Sequence, residues 1–124
     1  DMSYVASILI VDDEIDLCES IQFFFEDANY QTFLAHNVAD AYKLIQENKI
    51  DFVISDIRMP GETGIDLLKK IKALDPVKPV VYLISGYTDI SEEDCECLGA
   101  EEVIRKPIKL EDLFEIVDVM RHKL

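Results

Sequence analysis

Residues 8–13 read Ile8-Leu9-Ile10-Val11-Asp12-Asp13, four apolar side chains followed by two acids. Residues 52–56, Phe52-Val53-Ile54-Ser55-Asp56, repeat the pattern with a single acid at the end. An apolar run without alternation reads as a strand buried on both faces, as in a parallel sheet covered by helices. Packing does not explain acids at both ends, because clustered carboxylates repel one another and resist desolvation. A cation must compensate them, and hard oxygen ligands grouped in this way suit a hydrated magnesium ion.

Working outward, a third run, Val80-Val81-Tyr82-Leu83-Ile84, empties into a hydroxyl at Ser85, and Val103-Ile104 stands just ahead of Lys106-Pro107. Thr32–Ala35 makes one more short strand. Helix-period segments lie between them. Cys18, Ile21, Phe25 and Ala28, with Leu17 and Phe24 beside them, predict a first helix ending near Asn29. Val38, Ala41, Tyr42 and Ile45 predict a second, ended by Asn48. After the loop Met59-Pro60-Gly61-Glu62-Thr63-Gly64, the residues Ile65, Leu68 and Ile71 mark a third that stops before Asp75-Pro76. Ser91 is an N-cap for a short acidic helix running to Leu98 and halted at Gly99. Leu110, Leu113, Val117 and Met120 stripe the last helix.

Strands alternating with helices five times over imply an α/β, doubly wound parallel sheet with right-handed crossovers. Ligands bind such sheets outside the carboxyl ends of the strands. Asp12, Asp13, Asp56, Ser85 and Lys106 all fall at those ends. An acid pair, a lone Asp, a hydroxyl and a lysine in that order make up a phosphoryl-accepting site.

The 124 residues are the size of one domain with a sizeable core. A net charge of −14 argues against nucleic-acid or anionic-membrane binding by this domain. No apolar run approaches the roughly 18–20 residues that span a bilayer, and no signal peptide is visible. Three scattered cysteines do not form a disulfide framework, so a reducing cytoplasm is the expected setting. Residues 1–4 read as an N-terminal extension, with Asp1 a vector-derived residue ahead of a native start at Met2, and residues 5–124 as the domain.

With the acid pair, Asp56, Ser85 and Lys106-Pro107 in place, residues 5–124 resemble a response-regulator receiver domain of two-component signalling, the CheY-like superfamily. Each motif alone is common; together, at matching strand ends and intervals, they are specific. The resemblance implies a flavodoxin-like (βα)5 fold with strand order 2-1-3-4-5. It implies that Asp56 is the phosphoacceptor, taking its phosphoryl group from a phosphohistidine of a sensor histidine kinase or a phosphotransfer protein. Magnesium would be held by Asp13 directly, by Asp12 directly or through a water, by Asp56, and by the backbone carbonyl of Arg58. Ser85 would swing to the phosphoryl group, Lys106 would pair with it, and Lys106-Pro107 would be cis. Arg58 and Tyr87 would flank the path of attacking water. The surface around the fourth helix and fifth strand would switch toward an output domain or partner protein, and phosphorylation-dependent dimerisation belongs to the same expectation. Such a domain is not an enzyme beyond catalysing its own phosphorylation and dephosphorylation.

One position departs from the family. Three residues before the lysine, where receivers usually carry Tyr or Phe, stands Val103. Gly86, where a small residue follows the hydroxyl, conforms.

Other readings explain less. A phosphatase of the haloacid-dehalogenase type wants a second Asp two residues past the first, where Arg58 stands. A flavodoxin wants a Ser/Thr/Gly-rich phosphate loop after the first strand, where Asp12-Asp13-Glu14 would repel the phosphate. A degenerate receiver serving as a constitutive interaction module would have lost site residues, and none is lost. Cys95 and Cys97 point about 200° apart on a helix and lack His or Cys partners, which argues against a metal site. His36 and His122 read as exposed surface residues, and Glu92-Glu93-Asp94 as a solvated helix start, or alternatively as part of the surface offered to a partner.

Overall fold

Each apolar run forms a strand in the computed structural model, which describes residues 4–86 and 91–124. The order along the chain is β1 (Ser7–Val11), α1 (Ile15–Asp27), β2 (Gln31–Ala35), α2 (Val38–Glu47), β3 (Phe52–Asp56), α3 (Gly64–Leu74), β4 (Val80–Ser85), α4 (Glu92–Cys97), β5 (Glu102–Arg105) and α5 (Leu110–His122). The strands pair in parallel in the order β2-β1-β3-β4-β5. This is the doubly wound, flavodoxin-like architecture expected from the sequence. Asp1 and Met2 lie outside the described residues.

Continuous apolar strands are needed because side chains alternate between two covered faces. Leu9, Val11, Val53, Val81, Leu83 and Val103 pack with Val38 and Ala41 of α2 and Leu67, Leu68 and Ile71 of α3. Ile8, Ile10, Phe52, Ile54, Tyr82, Ile84 and Ile104 meet Cys18, Ile21 and Phe25 of α1 and Leu113, Ile116, Val117 and Met120 of α5. Each fully buried aliphatic side chain contributes about 1.5–3 kcal/mol relative to exposure.

The helix ends follow local chemistry. Asn37 accepts from the Asp40 N–H at 2.8 Å to start α2. Thr63 and Asp66 form a reciprocal capping box at the start of α3. The Ser91 hydroxyl accepts from the Asp94 N–H at 3.2 Å, as its N-cap reading requires. Gly99, at φ +111°, takes the left-handed turn that ends α4, a conformation only glycine adopts cheaply. Lys106-Pro107 is cis, as the resemblance implies; a second cis bond, Lys78-Pro79, has no motif to announce it. Among the described residues, no helix is long and apolar enough to cross a membrane.

Candidate functional site

The strand order puts β1 and β3 side by side at the centre of the sheet, and Val11 pairs with Ser55. The next residue on each strand is therefore an acid beside an acid. Carboxylate oxygens of Asp12, Asp13 and Asp56 lie within 4.8 Å of one another. Asp12 and Asp56 are buried, and Asp13 is exposed. β5 brings in the compensating charge from the far side, with the Lys106 ammonium 2.9 Å from Asp56 Oδ2. The Asp56 side chain is 3% exposed and that of Lys106 is 32%, so the pair sits at the mouth of the cluster with only the lysine reaching solvent. The Arg58 N–H donates to the other Asp56 oxygen at 3.3 Å.

Asp12 is the least comfortable of the acids. Its Oδ1 accepts from the Glu14 N–H at 2.9 Å. Its Oδ2 is buried and has no hydrogen-bond partner among the described residues. Burial, reinforced by the Asp56 charge, pushes its carboxyl up to about 6, against the lowering effects of the Glu14 N–H and Lys106. Burial alone would pull the Lys106 ammonium down, but the hydrogen bond from Lys106 to Asp56 and the surrounding carboxylates outweigh it and hold the ammonium above its usual range. Three hard-oxygen donors, one with a buried lone oxygen, are a donor set that fits a small divalent cation.

Ser85 ends β4 with a fully buried side chain, and its hydroxyl donates to the Gly86 carbonyl at 2.6 Å. The Lys106 N–H donates to the Ser85 carbonyl at 2.9 Å, which ties the hydroxyl-bearing strand end to the lysine-bearing one. Val103 is buried in the core cluster that holds Leu83, Cys95 and Ala100. Tyr87 lies outside the described residues. Cys95 is buried and Cys97 exposed, in line with their opposite directions on α4. His122 is exposed, as expected.

Two residues near the site carry more than their sequence pattern announces. Gly64, ostensibly a loop residue, is the first residue of α3 and lies against the Asp56 main chain: a Cβ there would stand 2.2 Å from the Asp56 carbonyl oxygen. A glycine abutting the first apolar residue of a helical stripe is the only signal that could have revealed it. His36 is half-buried rather than exposed, and its Nδ1 is 2.9 Å from the Asp12 carbonyl oxygen. It follows the last residue of β2, and parallel pairing with β1 delivers it to Asp12.

The family model described as "Response regulator receiver domain" matches residues 8–118. The chain is 32% identical to sporulation initiation phosphotransferase F of Bacillus subtilis over 111 residues, covering 89% of each. It is 35% identical to transcriptional regulatory protein ZraR of Escherichia coli over 108 residues, which cover 86% of this chain but 24% of ZraR. A response regulator receiver domain protein from Clostridium thermocellum, solved as a crystal structure, superposes with a TM-score of 0.87 at 29% identity, covering 96% of each chain. The chain spans less than half the length of several curated relatives it matches.

Proposed function

This chain belongs to the response regulator receiver domain family, and from that premise we propose that it accepts a phosphoryl group on Asp56 from a phosphohistidine of a sensor histidine kinase or phosphotransfer protein. One observation carries the reading: a buried carboxylate bonded to a lysine at 2.9 Å, beside two further acids, one of which has a buried oxygen without a partner. Such a cluster is costly as a packing device and is accounted for by a ligand that brings positive charge.

In the transfer, an Asp56 oxygen forms a bond to phosphorus as the bond from phosphorus to the histidine nitrogen breaks, and the imidazole leaves as the neutral ring after taking up a proton. An anion attacking an anionic group needs charge cancelled as it develops. Asp12, Asp13, Asp56 and the Arg58 backbone carbonyl would hold a magnesium ion, whose contribution is to neutralise the phosphoryl oxygens. Lys106, already at Asp56, follows one phosphoryl oxygen. The Arg58 N–H keeps Asp56 oriented through its second oxygen. Ser85 exchanges the Gly86 carbonyl for a phosphoryl oxygen, which turns phosphorylation into a movement of the chain after β4. That movement would be read by an output domain or partner protein, with self-association as one form of output. A degenerate, constitutive module would not need Asp12, Asp13, Asp56, Ser85 and Lys106 all retained.

Asp56→Asn is nearly isosteric and is not a nucleophile. It is expected to abolish labelling by acetyl phosphate and by a phosphohistidine donor while the fold persists. Undiminished labelling of the mutant would place the acceptor elsewhere.

A further inference from the structure

We infer that His36 is a positioning residue for the cation site: it clamps the peptide joining Asp12 to Asp13 and so sets the two carboxylates in the geometry that collects a divalent ion. The inference rests on the cation-dependent reading of the site given above.

The Asp12 carbonyl can only accept, so the 2.9 Å contact requires the His36 Nδ1 to carry the proton and donate. The same carbonyl accepts a second, weaker bond from the Cys18 thiol at 3.4 Å. On the other side of the residue, the Asp12 N–H donates to the Ala35 carbonyl at 3.1 Å. The end of β2 therefore grips Asp12 twice, through the Ala35 main chain and the His36 ring. Because the peptide unit is planar, fixing the Asp12 carbonyl also fixes the plane that leads into Asp13. The backbone that carries the ring leads directly into the start of α2, where the next residue, Asn37, is the N-cap.

An acid pair beside a third acid gains by turning apart. Rotating the Asp12–Asp13 peptide is one way for it to do so, beside turning the side chains themselves, and the bond from His36 opposes that rotation. The bond is not needed to hold β2 to β1, because the register already runs through Val11 and Ala35. It is made one residue beyond the sheet, at the peptide that joins the two carboxylate-bearing residues. Partners that orient metal ligands without touching the metal commonly matter for affinity.

Three proteins test this: the wild type, His36→Leu, which keeps bulk without a donor, and His36→Asn, whose Nδ2 can stand near the place of Nδ1. Magnesium alone is titrated, and affinity is read from amide chemical shifts and from the rise in melting temperature. Acetyl phosphate labelling is followed over the same magnesium range. His36→Leu is expected to weaken magnesium binding roughly tenfold. His36→Asn is expected to recover most of that loss. Labelling by His36→Leu should need more magnesium but reach the wild-type rate at saturation. Equal magnesium affinity in all three, even with a lower metal-free melting temperature for His36→Leu, would overturn the inference and leave the site reading intact. An Asn variant as weak as the Leu variant would overturn the hydrogen-bond role. A wild type that binds no magnesium would overturn the cation reading itself, and this inference with it.

Discussion

At the scale of the residue, the position of Asp56, the proposed acceptor, depends on a side chain that is not there. Gly64 approaches the Asp56 main chain so closely that a Cβ would meet the Asp56 carbonyl oxygen at 2.2 Å and the Ile57 Cα at 3.0 Å. These are backbone atoms and cannot rotate aside. The Gly64 N–H also donates to the Ile57 carbonyl at 2.9 Å, which holds the start of α3 against the end of β3. Gly64→Ala is therefore expected to destabilise the fold by about 1–3 kcal/mol, the usual cost of overpacking a close contact. It should also slow phosphorylation of Asp56, because relief of the clash must displace the acceptor's own peptide. Urea unfolding and the rate of acetyl phosphate labelling measure the two effects. A variant with unchanged midpoint and unchanged rate would contradict the reading.

At the scale of the element, α4 is the part most easily moved. It has six residues, too few to be stable without tertiary contacts, and Cys95 is its one buried side chain. Its exposed tie to β5, from Glu92 to Arg105 at 3.1 Å, is of a kind worth about 0–1 kcal/mol. Val103 on β5, by contrast, is buried and paired with Leu83 across the sheet. With no ring at Val103 to turn inward, a departure of the Ser85 hydroxyl from the Gly86 carbonyl on the proposed phosphorylation would be read at α4 rather than at β5. Binding of beryllofluoride, a phosphoryl mimic, should therefore shift the amides of Gly86 and of Ser91 to Leu98 far more than those of Val103 and Ile104. Coupling requires two states that the phosphoryl group binds unequally. Large shifts at Val103 with α4 silent would show that β5 carries the signal instead. Much of this scaffold was legible from residue order alone: uninterrupted apolar runs forced a doubly covered sheet, and Asn48, Asp75 and Gly99 marked helix ends where the helices do end. His36 and Gly64 escaped because their importance lies in contacts between elements. A histidine one residue past an edge strand and a glycine at the rim of a loop have no period to reveal them.

At the scale of the whole molecule, the burial of the Asp12 carboxylate beside Asp56 works against the fold, and the sign of the site's pH dependence follows. The Asp12 carboxyl is raised to about 6 in the fold, chiefly by burial and then by the Asp56 charge. A carboxyl raised on folding binds its proton more tightly in the native state than in the unfolded chain, so stability falls as pH rises across that window. The contribution is fully present below the unfolded value of about 4 and is lost as pH rises through about 6. The net charge of −14 at pH 7 adds a general repulsion of the same sign, so the Asp12 effect must be isolated by difference. In metal-free buffer, the melting temperature of Asp12→Asn should exceed that of the wild type at pH 7.5, and the gap should close as pH is lowered from 6 toward 4. Magnesium should narrow the same gap at pH 7.5, because it stabilises the wild type through the carboxylate that the mutant lacks. A ligand at ten times its Kd adds about 1.4 kcal/mol to the native state, enough for a shift of several degrees in a domain of this size. Melting curves of both proteins over pH and magnesium concentration decide the matter. A wild type indifferent to several millimolar magnesium, or a mutant no more stable than wild type at pH 7.5, would mean that the cluster is already compensated by Lys106 alone.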